Sequence, residues 1–147
     1  MSPLFIPIVS GTVILLAIIL TFGAGKKALS IFPDLESVNV IFREKGASGH
    51  CNDSFITKAG AASGVLEVIV TDKEFWTRTG LFFGWVANWY RLIHKIELNQ
   101  ISKIERKNRK KVRVYFNDEK KGLRSMTLSL KNSEAFTKAI GIEVEQE

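Results

Sequence analysis

The sequence predicts an α+β protein that is mainly β: a bent antiparallel sheet or barrel of about seven strands, with one C-terminal capping helix and one N-terminal transmembrane helix. Three observations predict this fold class. Residues 4–22 carry no charged side chain. Apolar and polar side chains then alternate through a series of segments, as in half-buried strands, and a short amphipathic helical pattern follows. We place the boundaries at 1–25 for the transmembrane anchor, 26–37 for a juxtamembrane connector, 38–141 for the β domain and 142–147 for an acidic tail.

The N-terminal apolar run is long enough to cross a bilayer. Residues 4–22 would form roughly 28 Å of helix, against about 30 Å of hydrocarbon. Pro7 is tolerated near the first turn of such a helix. Two alternatives stay open. A cleaved signal peptide would use the small residues at 23–25, although no basic residue precedes the run. A buried core helix would need more surrounding protein than a short chain offers.

The charge distribution indicates on which side of the membrane the head lies. The formal net charge is +6, and every Lys and Arg follows the anchor. Because Lys26 and Lys27 come directly after it, the positive-inside rule predicts a single-pass protein of the cell membrane with a cytoplasmic head and the N-terminus outside. A lone Cys51, which cannot form an internal disulfide, fits a reducing compartment. A basic head beside a bilayer favours anionic lipid or an acidic partner.

Alternating segments predict the strands. Polar pairs such as Asp72-Lys73 and Asn99-Gln100 mark tight turns, so neighbouring strands should pair as antiparallel hairpins. A stretch rich in Gly, Ala and Ser at residues 46–64 is expected to form a long loop. The predicted strands cover residues 37–44, 65–71, 74–79, 92–98, 101–107, 111–117 and 123–130.

One helix is predicted after the last strand. Asn132 or Ser133 can cap its N-terminus, and Gly141 is a favourable C-terminal stop. A bent sheet of this size leaves an open end, which an amphipathic helix can cover. The apolar stripe of this helix consists of Phe136, Ala139 and Ile140.

Four segments of the head carry a family resemblance. They are residues 65–78 (VLEVIVTDKEFWTR), 96–105 (IELNQISKIE), 111–118 (KVRVYFND) and 128–140 (LSLKNSEAFTKAI). In these segments a strand ends in a Thr-Asp turn, and the last strand leads through a polar cap into a helix. The resemblance also implies a corner between two strands, which four apolar residues match: Ile96, Leu98, Ile101 and Ile104.

Over residues 38–140 the chain resembles the pleckstrin-homology (PH) and GRAM superfold, and in particular bacterial PH-like domains tethered to the membrane. The resemblance implies a module that binds or scaffolds rather than an enzyme. Family members that bind phosphoinositides carry a basic cluster on the first strand and the hairpin after it. Here that region carries only Arg43, Lys45 and Lys58, so no phosphoinositide site is carried over.

An aromatic segment at residues 80–91 is the first candidate contact surface. Trp and Tyr favour the membrane interface, because they combine an apolar body with a polar tip. The segment could enter the lipid headgroups, bind a protein partner, or fold back over the sheet. Its candidate contact residues are Phe82, Phe83, Trp85, Trp89 and Tyr90.

A basic hairpin at residues 103–113 is the second candidate surface. Near an anionic leaflet each basic side chain contributes about 1 kcal/mol. The alternative is a solvated turn that protects strand edges from aggregation. We expect no nucleic-acid binding, because basic and aromatic side chains lie in different segments. The candidate residues are Lys103, Arg106, Lys107, Arg109, Lys110, Lys111 and Arg113.

Cys51 and the two histidines are weak candidates for chemistry. His50 adjoins Cys51, but neighbours on an extended chain point apart. His94 is distant in sequence and is expected to be a half-buried strand residue. Two His and one Cys are too few for a convincing zinc site. We therefore expect no catalytic, metal-binding or cofactor-binding residue, and no phosphate-binding loop is present in the sequence.

The sequence thus predicts a membrane-anchored, non-enzymatic binding or scaffolding module with a PH-like head. Its expected ligand is anionic lipid or a membrane-protein partner. Two alternatives remain. The chain could be an accessory subunit of a membrane complex that is recognised through its anchor helix, or an enzyme that depends on Cys51.

Overall fold

The computed structural model describes residues 5–52, 62–80 and 92–146. Its first element is the helix α1 (Phe5–Leu29). Among the described residues, α1 is the one helix long and apolar enough to cross a membrane, over Gly11–Leu29. The side chains of residues 11–20 are all exposed, which argues against a buried core helix. A membrane span and a secretory signal are both compatible with an exposed apolar helix at this position.

The helix α1 extends beyond the predicted anchor. Pro7 is its third residue, where a missing N–H removes no helical hydrogen bond. Lys26 and Lys27 lie in its last turn, where the helix dipole favours cations. Pro33 follows the helix, and the connector then makes a short 3₁₀ turn (Leu35–Ser37) before the sheet begins.

The head is a single open sheet that is mainly antiparallel, as predicted. Seven described strands pair antiparallel in the order β4-β3-β2-β1-β7-β6-β5, and β8 adds a short parallel pair at the outer edge of β5. Residues 144–146, which the sequence places in an acidic tail, form this eighth strand. The strands are β1 (Val40–Cys51), β2 (Ala62–Thr71), β3 (Glu74–Thr79), β4 (His94–Glu97), β5 (Ile101–Arg106), β6 (Lys111–Asp118), β7 (Gly122–Ser129) and β8 (Val144–Gln146). The hairpin predicted at Asn99-Gln100 is wrong, because β4 and β5 lie at opposite ends of the antiparallel part and a 3₁₀ turn (Leu98–Gln100) joins them.

Strand β1 joins the two halves of the sheet. It pairs with β2 from Val40 to Gly49 and with β7 from Ser48 to Cys51, with register shifts where the two pairings meet. The predicted loop at 46–64 is therefore wrong for residues 46–51 and 62–64, which are strand; residues 53–61 lie outside the described part. Small residues are required here because a Cβ on Gly49 would come within 2.9 Å of two leucine side chains.

The core lies between the inner face of the sheet and the C-terminal helix α2 (Ser133–Ile140). Asn132 is the N-cap of α2, since its side chain accepts a hydrogen bond from the backbone N–H of Ala135. Gly141 ends the helix in the left-handed conformation, with φ of 73°. The ring of Phe136 packs edge-on against Phe42 and Phe75, at 5.7 and 5.5 Å between centroids. Other core residues include Val68, Val70, Ile104, Val112, Val114, Phe116, Met126 and Leu128.

Candidate functional site

The turn between β5 and β6 presents three basic side chains to solvent. Asn108 shapes this turn, because its side-chain oxygen accepts the backbone N–H groups of Lys110 and Lys111 at 2.9 and 2.8 Å. The backbone N–H of Lys107 donates to the carbonyl of Lys111 and closes the hairpin. Arg109, Lys110 and Lys111 are exposed as a result, and we call these three residues the basic tip.

Two other predicted contact residues are paired with an acid. The Nζ atoms of Lys103 and Lys107 lie 2.9 and 3.6 Å from the carboxylate of Glu105. The hydroxyl of Tyr115 also donates to this carboxylate, at 2.9 Å. The hydrogen bonds from Lys103 and Tyr115 hold the pKa of Glu105 below its ordinary value. Much of the positive charge on this part of the hairpin is thus neutralised within the head.

The last two predicted contact residues hold parts of the head together. Arg106 donates to the hydroxyl of Thr137 on α2 at 3.3 Å, and Arg113 reaches Thr127 on β7 at 3.5 Å. Of the seven predicted basic contacts, the structure therefore leaves only the three of the basic tip fully exposed. Sequence reasoning missed Lys131, which is also exposed. It comes beside the tip because the N–H of Leu130 donates to the carbonyl of Lys110.

The connector after α1 is attached to the outer face of the head. The rings of Phe32 and Trp76 lie 5.5 Å apart, and Trp76 is fully buried although it points away from the main core. The indole N–H of Trp76 donates to Glu74 at 2.8 Å. We call the contact of Phe32 with Trp76 the docking contact. It joins the connector after α1 to the outer face of the head.

A cleft of about 430 Å³ lies where α1 meets the head. Leu29 of α1 lines it together with Lys45, Val65, Arg78 and Gly80. Beside the cleft the Glu67 carboxylate accepts hydrogen bonds from two arginines, Arg43 at 2.6 Å and Arg78 at 2.7 Å. Burial would raise the pKa of Glu67, but these two guanidinium groups outweigh it and lower the pKa.

The basic tip and this cleft lie in one row across the sheet. Lys111 is paired with Ser129, and Ser129 with Ser48. The hydroxyl of Ser48 accepts the N–H of Gly64, which precedes the cleft residue Val65, at 2.9 Å. Three strand steps of about 4.8 Å therefore separate the tip from the cleft, or about 14 Å along the sheet.

The aromatic candidates Phe82, Phe83, Trp85, Trp89 and Tyr90 lie outside the described residues. The structure does describe where the chain leaves the sheet towards them. Gly80 ends the described part of this region and lines the same cleft as Leu29. Gly80 itself therefore lies beside the end of α1.

The structure brings Cys51 and His94 together, although 43 residues separate them. The sulfur of Cys51 lies 3.5 Å from His94 Nε2 and 3.6 Å from a guanidinium nitrogen of Arg124. Arg124 is paired in turn with Asp118 at 2.8 Å, and this pairing holds the pKa of Asp118 below its ordinary value. Among the described residues, no three or more His, Cys, Asp or Glu side chains are arranged to hold a metal ion.

Sequence reasoning had no signal for this arrangement. Cys51, Arg124 and Asp118 lie on β1, β7 and β6, which are neighbours in the sheet, whereas His94 lies on β4, three strands away from β1. The sheet has to curve to bring His94 to Cys51. His94 is half-buried, as its strand position suggests, and its ring packs edge-on against Phe116 at 5.4 Å. We call the four residues the thiol cluster.

The basic tip, the docking contact and the thiol cluster are the features of this head from which a function can be inferred. The first two lie towards the end of α1. In the third, Cys51 and Arg124 are buried, whereas His94 and Asp118 are partly exposed. No protein-family model matches the chain, and neither a curated protein nor a solved structure matches it.

Proposed function

We propose that this chain is a single-pass membrane protein whose cytoplasmic, PH-like head is a non-enzymatic binding module for anionic lipid headgroups. The exposed apolar surface of α1, with two lysines in its last turn, supports the anchor and its orientation. The basic tip is the contact surface. In this proposal α1 keeps the head at the bilayer, and the tip sets how the head stands on it.

The strand order supports the PH-like part of this proposal. Two antiparallel groups, β1–β4 and β5–β7, are joined through the pairing of β1 with β7, and α2 follows β7 directly. The resemblance of the sequence implies seven strands closed by a final helix. The short parallel strand β8 is an addition to that pattern.

The observation that carries the proposal is the position of the basic tip relative to the end of α1. The tip lies about 14 Å along the sheet from the cleft that Leu29 lines. Attraction to an anionic leaflet fades over a Debye length of about 8–10 Å. For the tip to reach the leaflet, this row must therefore lie along the membrane surface, because a tip held about 14 Å away from that surface would be beyond the range. The anchor supplies the local concentration.

The test compares the full chain in nanodiscs of neutral lipid and of lipid containing phosphatidylserine. We expect slower backbone hydrogen exchange at residues 107–111 in the anionic nanodiscs only, and a loss of this difference as salt rises. The double change Lys110→Glu and Lys111→Glu should abolish it. The matched control is Lys120→Glu with Lys121→Glu, which alters two exposed lysines in the turn between β6 and β7. Equal protection in neutral nanodiscs would refute the proposal.

One alternative is favoured by the exposure of α1. Its apolar side chains between residues 11 and 20 could face partner helices instead of lipid, and the chain would then be an accessory subunit of a membrane complex. Replacing residues 4–22 by an unrelated spanning helix separates the two cases. The cellular function of the chain should survive the exchange if the head is the binding part. It should be lost if a partner recognises the sequence of the anchor.

A further inference from the structure

The thiol cluster is a second candidate site, independent of the proposed lipid contact. The sulfur of Cys51 has an imidazole nitrogen at 3.5 Å and a guanidinium nitrogen at 3.6 Å. Neighbouring His and Arg side chains stabilise the thiolate over the thiol, and the thiolate is the reactive form. A buried structural cysteine in apolar surroundings has no such neighbours. The cluster therefore has the chemistry of a reactive thiol.

The position of Arg124 is fixed by its other contacts. One guanidinium nitrogen binds Asp118 at 2.8 Å, and the guanidinium lies 5.5 Å from the centre of the Phe116 ring. Only 7% of the Arg124 side chain is exposed. Asp118 offsets part of this positive charge. The His94 imidazole is thus the other polar group at the sulfur, and it is a nearby proton donor or acceptor.

A cleft of about 220 Å³ opens on the other side of His94. Lys95, Gln100, Lys120 and the acidic Glu119 line it together with His94 and Asp118. Cys51 itself is fully buried. The His94 imidazole thus contacts the sulfur and also lines the cleft, so it connects the cleft to Cys51.

We propose that Cys51 is a modification site for hydrogen peroxide, with His94 as its gate and proton partner. The thiolate attacks one peroxide oxygen, so that an S–O bond forms and the O–O bond breaks. Sulfur loses two electrons and becomes sulfenic acid, while the other oxygen leaves as hydroxide. Hydroxide takes the proton of the His94 imidazolium and becomes water.

The composition of the chain determines how the sulfenic acid can be reduced. Cys51 is the only cysteine in the sequence, so no second thiol of the same chain can form a disulfide with it. A thiol from solution must therefore reduce it. The added oxygen would also crowd a fully buried position next to Met126, the partner of Cys51 on β7. Oxidation should loosen the pairing of β1 with β7.

The test measures sulfenic acid formation at Cys51 by peroxide and dimedone trapping, with mass spectrometry of the folded full chain in detergent micelles. We expect trapping at neutral pH, and raising the pH further should not increase the trapping rate. The trapping rate of a free cysteine, in contrast, rises with pH up to about pH 8.5. His94→Asn should slow trapping at neutral pH about tenfold and move the rise to higher pH. The control Lys73→Gln changes an exposed lysine outside this cleft, between β2 and β3, and should leave the rate unchanged.

Two results would overturn the proposal. In the first, denaturant is added in small steps, and the amount of sulfenic acid trapped in the unmodified chain rises only in proportion to the fraction of globally unfolded chain. The second is an unchanged pH profile in His94→Asn, or in His94→Gln if the first variant does not fold. A bulky maleimide serves as a further check, since it should label Cys51 only in denaturant if His94 is the gate for small reagents.

Discussion

At the scale of single residues, Gly49 has the least space of the glycines whose surroundings the structure describes. A Cβ there would lie 2.9 Å from the side chains of Leu66 and Leu128 and 3.1 Å from the carbonyl oxygen of Thr127. The carbonyl belongs to the paired strand and cannot move aside alone. We predict that Gly49→Ala lowers the free energy of unfolding by about 1–3 kcal/mol. Thermal unfolding of the chain in detergent would measure it, and Gly80→Ala, which has open space, should have a much smaller effect.

Glu44 is a second residue whose substitution should destabilise the head, although nothing in the sequence around it indicates this. Its buried carboxylate accepts the backbone N–H groups of Lys131 and Asn132, at 2.7 and 3.1 Å, just before α2 begins. Glu44→Ala leaves both donors without this acceptor and should cost about 2 kcal/mol of stability. Hydrogen exchange of α2 should quicken. Glu44→Gln keeps one acceptor oxygen and should cost less; equal losses in both variants would contradict this role.

At the scale of elements, one carboxylate ties three strands together. Glu67 on β2 binds Arg43 on β1 and Arg78 on β3, and these contacts lower its pKa in the folded head below the ordinary value of 4.5. The unfolded chain therefore binds more protons than the folded head between the two pKa values. The stabilisation is complete above pH 4.5 and is lost as the pH falls through the lower, folded value.

This linkage predicts a pH-dependent difference between two proteins. Glu67→Gln should be less stable than the unmodified chain at neutral pH, and the difference should narrow as the pH falls below 4.5. Denaturant unfolding at several pH values would measure it. The control is Glu143→Gln, which changes an exposed acid. This variant should keep the pH dependence of stability of the unmodified chain. A constant difference at all pH values would mean that Glu67 acts through packing alone.

At the scale of the whole molecule, the docking contact determines how the head stands relative to α1. Phe32→Ala removes the ring that packs on Trp76. We expect a broader distribution of distances between spin labels at positions 27 and 95, because the head would swing about the connector. Ile31→Ala is the matched control, since Ile31 is its exposed neighbour. An unchanged distribution in Phe32→Ala would show that other contacts hold the head.

Much of the fold could be predicted because the patterns that specify it are local. The alternation in 111–117 and 123–130 marks the hairpin of β6 and β7, and the cap at Asn132 with Gly141 marks the ends of α2. The path of β1 through residues 46–51 could not be predicted. Its glycines suggest flexibility in sequence, while their role is to permit close approach of strands that are distant along the chain.

The candidate site was predictable only in part. A basic run such as 106–113 is visible in sequence, but ion pairs decide which charges reach solvent: Glu105 engages Lys103 and Lys107, while Arg109 to Lys111 stay exposed. The aromatic segment stays a prediction, because it lies outside the described residues.

The sequence by itself determined the apolar helix, the strand-rich head and the final helix, because hydrophobic period and turn chemistry act between near neighbours. Only the tertiary structure decided that Phe32 docks on Trp76 and that Cys51 meets His94 and Arg124. These contacts join strands and connectors far apart in sequence. Because the partners are distant along the chain, these contacts leave no local signal in the sequence.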